Sequence, residues 1–75
     1  MMVGVNIELS KDEAIVLFEF LSRLNEYHNS GMFEDQAEQR VLWKIEGILE
    51  QNLNEPFRPD YMDIVKRARE KVRVK

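Results

Sequence analysis

No cysteine occurs in the 75 residues, so neither a disulfide framework nor a thiolate metal site can reinforce the fold. His28 is the one histidine, which rules out a histidine-pair metal site. A Ser-His-Asp system would have to be built around that residue at a helix end, and no serine sits in a strained nucleophile turn. His28 therefore reads as a C-terminal helix residue whose positive form suits the helix dipole. Three scattered glycines form no phosphate-cradling loop and match no nucleotide-binding fingerprint. Long apolar runs are missing too: the longest, Ala14 to Phe18, is far short of the roughly 20 residues of a membrane helix. No Lys or Arg precedes Lys11, and Glu8 interrupts the first apolar stretch, unlike a secretory signal. These absences lead to the expectation of a cytoplasmic protein without membrane contact, catalytic residues, metal or cofactor.

The apolar share of 44% is enough to build a core, and the charged share of 33% suits a soluble surface. A single small domain spanning 1–75 is expected, near the size at which one core is only marginally sufficient and a second chain helps. Charge is unevenly spread. Residues 1–60 carry five basic and twelve acidic side chains, net −7, whereas residues 61–75 carry six and two, net +4. Fourteen carboxylates could supply an acid–base pair, but such a pair needs a concave site that separates the two pKa values, and three short helices offer little concavity. Glu34 with Glu38, and Glu46 with Glu50, are one turn apart and read as solvated surface. Glu38 alone falls within an apolar arc, where it meets a base of the third helix or frays outward.

The expected fold class is mainly α, a three-helix domain preceded by a short β-strand. Val3, Val5, Ile7 and Leu9 alternate with Gly4, Asn6 and Glu8, the period of a half-buried strand over 3–9. Ser10 and Glu13 form a capping box that starts helix 1 at about 11, with Leu9 able to staple onto Ala14 or Ile15. Over 11–28, Ala14, Leu17, Phe18, Leu21 and Leu24 share one face and Val16, Phe20 and Tyr27 an adjoining one. This broad arc predicts a central helix touching two neighbours. Ile15 falls on the polar side with Glu19, Ser22 and Glu26. The stretch from His28 to Gly31 suits helix termination.

Helix 2 is expected over about 34–53, with Glu34 and Asp35 at its positive end and an inward face of Ala37, Val41, Ile45, Ile48 and Leu49. Trp43 points almost directly away, beside Arg40, Glu46, Gly47 and Glu50. Pro56 and Pro59 break the chain, and Asp60 caps helix 3 over about 61–73. Tyr61, Ile64, Val65, Ala68 and Val72 form its narrow apolar stripe. The alternation of Val72 and Val74 leaves an extended C-terminus open as a partner for the first strand.

Two groups of residues are candidates for function. Trp43, Gly47 and Arg40 read as a docking patch, because tryptophan and arginine dominate interface hot spots and a glycine lets another backbone approach. The competing reading buries Trp43 under Phe57 or the N-terminal strand. Val3, Val5 and Ile7 belong with the patch, since a lone strand needs a ladder partner in the C-terminal segment or in the equivalent strand of a second copy, a self-complementary two-fold pairing. Ile15 and Met62, both off their core stripes, are weaker candidates of the same kind. Lys66, Arg67, Arg69, Lys71 and Arg73 form the second group, a basic helix able to neutralise phosphates. The same cations also complement the dipole at a helix C-terminus, and the acidic remainder repels a duplex.

The runs Ile7-Glu8-Leu9-Ser10-Lys11-Asp12-Glu13-Ala14, Phe33-Glu34-Asp35-Gln36-Ala37-Glu38-Gln39-Arg40-Val41-Leu42-Trp43 and Glu55-Pro56-Phe57 together resemble short bacterial proteins of a family with no established activity. That resemblance covers most of the chain and implies no functional residue. The expected function is a non-enzymatic interaction module, either a homodimer or an adaptor or inhibitor of another protein. A nucleic-acid-associated regulator is the alternative.

Overall fold

The computed structural model describes residues 4–26 and 32–74. Three helices run in chain order: α1 (Lys11–Glu26), α2 (Gln36–Asn52) and α3 (Tyr61–Arg73), with a 3-10 turn at Glu55–Phe57 between the last two. Val3, Tyr27, the stretch from His28 to Gly31, and Lys75 lie outside the described residues.

Each helix end has a local cause. At α1 the capping box forms as the sequence implies, the Ser10 amide donating to Glu13 Oε1 at 2.8 Å and the Glu13 amide to Ser10 Oγ at 3.1 Å. At α2 the Asp35 carboxylate accepts from the Ala37 amide at 2.7 Å, and Glu38 reaches back to accept from the Glu34 amide at 2.9 Å. Glu38 thus neither meets α3 nor frays loose, but satisfies an amide ahead of the helix. Pro56 lies in the 3-10 turn, where its missing amide costs nothing. Contrary to the expectation from its position, Asp60 does not cap α3 through its side chain. Its carboxylate accepts instead from Arg58, at 3.1 and 3.3 Å.

The N-terminal alternation does not become a strand. Residues 4–9 carry no regular structure and no hydrogen bond of their own, with Val5 and Ile7 88% and 79% exposed. A period-two pattern makes a strand only where a second strand completes the ladder. The C-terminal segment, the expected partner within the chain, is helical to Arg73.

Helix α1 is central, as its broad arc implies, packing against both α3 and α2, while the two outer helices barely touch. The core consists of Ala14, Ile15 and Phe18 from α1, Leu53 just beyond α2, and Val65 and Ala68 from α3. The α3 stripe is as expected. Ile15 is not on a solvent-facing side: it is 3% exposed, in the middle of the core. Two of its three polar neighbours on α1 also face other helices, and Glu26 alone is exposed. Glu19 lies beside Tyr61 of α3, and Ser22 donates to Glu46 of α2. The opposite edge of the arc is what stays open, Phe20 being 47% exposed with Arg23 stacked over its ring at 5.9 Å.

Between α1 and the proline turn, Lys11 Nζ pairs with Glu55 at 3.0 Å, and this contact holds the Glu55 carboxyl below its ordinary value. The Tyr61 hydroxyl is buried against Glu19 without a hydrogen bond of acceptable geometry. Burial, followed by the adjacent Glu19 charge, pushes the phenol up to about 12 from 10.0. A raised phenol favours the folded chain fully below pH 10.0, and that contribution is lost as pH climbs through about 12. Tyr61→Phe removes the unpartnered hydroxyl, so its stability at neutral pH equals or exceeds that of the parent. Denaturant titrations across the alkaline range check this: the parent should lose stability above pH 10 more steeply than Tyr61→Phe.

Candidate functional site

Helix α2 carries the surface features of interest, and its rotation about its own axis decides which of them face outward. An ideal helix divides its residues into three sides about 120° apart. Leu42, Glu46 and Leu49 occupy the first, which is partly covered, with Leu53 beyond the end fully buried. Glu46 fixes this side against α1: its carboxylate accepts from Ser22 Oγ at 3.0 Å and from the Asn25 side-chain amide. Glu46 is therefore an inter-helix residue, not part of an outer face with Arg40 and Gly47.

The second side reads Ala37, Val41 and Ile48, all exposed, with Val41 at 55% and Ile48 at 50%. These residues make up most of the expected inward face, and α2 as a whole buries none of its side chains. The expectation went astray because it weighted apolar periodicity alone, while Glu46 and its two donors turn the helix by roughly a third of a revolution. Beside this side lies an open groove of about 550 Å³, bounded by Val5, Ile7 and Leu9, by Leu17 of α1, and by Ile45 and Ile48.

The third side holds Trp43, Gly47 and Arg40. Trp43 is 51% exposed and Phe57 is exposed as well, so the chain does not bury the indole. Nothing approaches within 4 Å of where a Cβ on Gly47 would stand. The residues expected to form one contact patch thus fall into two. Trp43, Gly47 and Arg40 look one way, whereas Val5 and Ile7 adjoin the groove with Ile48. Phe20, Val41 and Ile48 went unnoticed as surface residues because an apolar residue at helical spacing is read as core by default. Met62, off the α3 stripe, is exposed; Ile15 is not.

On α3, Lys66, Arg67, Lys71 and Arg73 are exposed and Arg69 is half-buried. Helical spacing puts Lys66, Arg69 and Arg73 on one flank and Arg67 with Lys71 on the other, with Asp63 and Glu70 between them. The five cations do not converge. The ion pairs among the described residues are Lys11–Glu55 and Arg58–Asp60, so α3 packs on α1 through its apolar stripe without an ion pair from its five cations. No group of three or more carboxylates or histidines capable of holding a metal ion occurs among the described residues.

The open space around Gly47 makes it a test of whether this side does more than face solvent. In the isolated chain, Gly47→Ala should raise stability by about 0.5–1 kcal/mol, since it relieves only the entropic cost of a mid-helix glycine. Trp43→Ala should cost no more than about 1 kcal/mol and leave helicity nearly intact. Thermal and denaturant unfolding followed by circular dichroism measures both.

Compared with protein-family models, with curated proteins and with solved structures, the chain matches none.

Proposed function

We infer that this chain is a non-enzymatic interaction module of the cytoplasm, acting as a homodimer or as an adaptor or inhibitor of another protein. One observation carries the reading: α2 spans 17 residues without a buried side chain, and leaves Val41 and Ile48 on one side and Trp43 on another half exposed. Helices of this length are marginal in water unless an apolar side is packed. Exposed apolar surface of this extent on so small a body marks a binding site more often than idle surface. Segment 4–9, with its alternating side chains and no regular structure, meets no strand partner among the described residues, so a second polypeptide can supply its ladder.

No helix among the described residues is long and apolar enough to cross a membrane, and none of these apolar patches needs a bilayer to explain it. The resemblance to short bacterial proteins of no established activity fits a binding role equally well. A photo-activatable amino acid in place of Trp43 or of Ile48, introduced in producing cells, should yield covalent adducts of higher mass from at least one position. A chain that stays uncross-linked from both would sink the interaction reading.

A second reading rests on the α3 cations, which form no ion pair among the described residues and are free to meet phosphate. In that case fluorescence anisotropy with labelled DNA and RNA at low ionic strength shows binding that salt weakens steeply and that Lys66→Ala with Arg73→Ala reduces. No binding to either nucleic acid at low salt removes it. The splitting of the cations into two flanks around Asp63 and Glu70 favours the interaction module.

A further inference from the structure

The uncovered side of α2 continues onto α1. Phe20 is exposed, and helical spacing places Leu17 and Leu24 on the same side of α1, one turn before and after it. The groove joins Leu17 to Ile45 and Ile48, so the apolar sides of the two helices form one surface, with Val5 and Ile7 at its edge. Helix α3 packs on α1 through Ile15, which helical spacing places away from Leu17 and Phe20.

The molecule also exposes more surface than its mass warrants. Its accessible area is 6343 Å², whereas a compact monomer of 9.0 kDa is expected to expose about 4,850 Å². The radius of gyration, 13.8 Å, likewise exceeds the roughly 11 Å of a compact chain of this length. The excess area approaches ~1,500 Å² over the whole chain, shared between the exposed segment 4–9 and the uncovered helix sides, and a stable dimer of ordinary size covers about 800 Å² on each partner.

We propose that a second copy of this chain seats on this surface. The α1–α2 pairs of two copies pack face to face about a two-fold axis and close a four-helix core that neither copy has alone, with each α3 on the outside. This rests on the interaction reading and names its partner. The surface is apolar and offers no concentration of charge to match an acidic or basic ligand; what complements it is another surface like itself, which a two-fold contact supplies. The whole chain carries only −3, so repulsion between copies is small.

Sedimentation velocity and light scattering over a wide concentration range test it. The parent should run at twice 9.0 kDa. Val41→Glu and Ile48→Glu, at positions already half exposed, should raise the dimer dissociation constant by about one to two orders of magnitude while keeping the helical circular dichroism of the parent. Trp43→Ala, on another side of α2, should leave the dimer intact. Because the chain lacks cysteine, Ile48→Cys and Trp43→Cys provide a second measurement that does not depend on how the acidic variants fold. A short bis-maleimide should link copies efficiently through position 48 and poorly through position 43. A parent that stays monomeric throughout overturns the proposal; if position 43 or 48 still cross-links to a different protein in cells, the interaction reading survives without it. A dimer lost with Trp43→Ala and indifferent to Ile48→Glu, or linked better through position 43, also overturns it.

Discussion

Glu46 accepts hydrogen bonds from Ser22 and Asn25 of α1, and the rest of the surface follows from how this contact turns α2. Apolar contact is non-directional, whereas a hydrogen bond to a carboxylate fixes orientation and is stronger than a neutral one. Burying Val41 and Ile48 against α1 would gain about 1.5–3 kcal/mol for each side chain fully covered. It would also turn Glu46 away and leave its two donors, Ser22 and Asn25, facing apolar side chains, at about 1–3 kcal/mol for each group left unsatisfied. Asn25 already has a buried oxygen without a partner, so losing the bond from its amide would leave the whole side chain stranded. The two terms are comparable, and the directional one sets the rotation.

This arrangement makes the protein a well-knit pair, α1 with α3, carrying a third helix held mainly near one end. Leu53 sits in the core and Leu49 packs against it, while Ala37 and Val41 in the first half of α2 have little to cover them. A chain of 75 residues has few apolar side chains to distribute, and α3 takes the best-matched set through Val65 and Ala68. The groove between the N-terminal segment, α1 and α2 is where packing runs out.

Local rules in the sequence were the most legible. The Ser10–Glu13 capping box, the proline break and the α3 stripe depend on neighbours within a few residues, and each is present. The central position of α1 was legible as well, since its apolar arc was too wide for one neighbour. What could not be read was which edge of a wide arc each neighbour takes. Ile15 looked exposed because Glu19 and Ser22 flank it, yet both contact other helices. Residues 3–9 posed the related problem that alternation records a preference for pairing without naming the strand that will pair. Asp60 shows competition between two local rules: a capping side chain was diverted to an arginine two residues away. The separation of Trp43 from Ile48 was legible from helical spacing, but the spacing assigned Ile48 to the interior, whereas both are half exposed.

Trp43 is the single tryptophan of the chain and stands half in solvent on a side of α2 away from both α1 and the groove. Indole emission from this protein therefore reports on one small area of one helix. Contacts made through Ile48 and Phe20 would be optically silent at this wavelength, so a flat fluorescence titration is compatible with tight assembly. A blue shift, conversely, marks an event that covers the Trp43 side, whereas loss of α2 itself would move the emission to the red. The molecule thus carries a probe blind to one of its two open surfaces and sensitive to the other, and intrinsic fluorescence can assign an event to one of them.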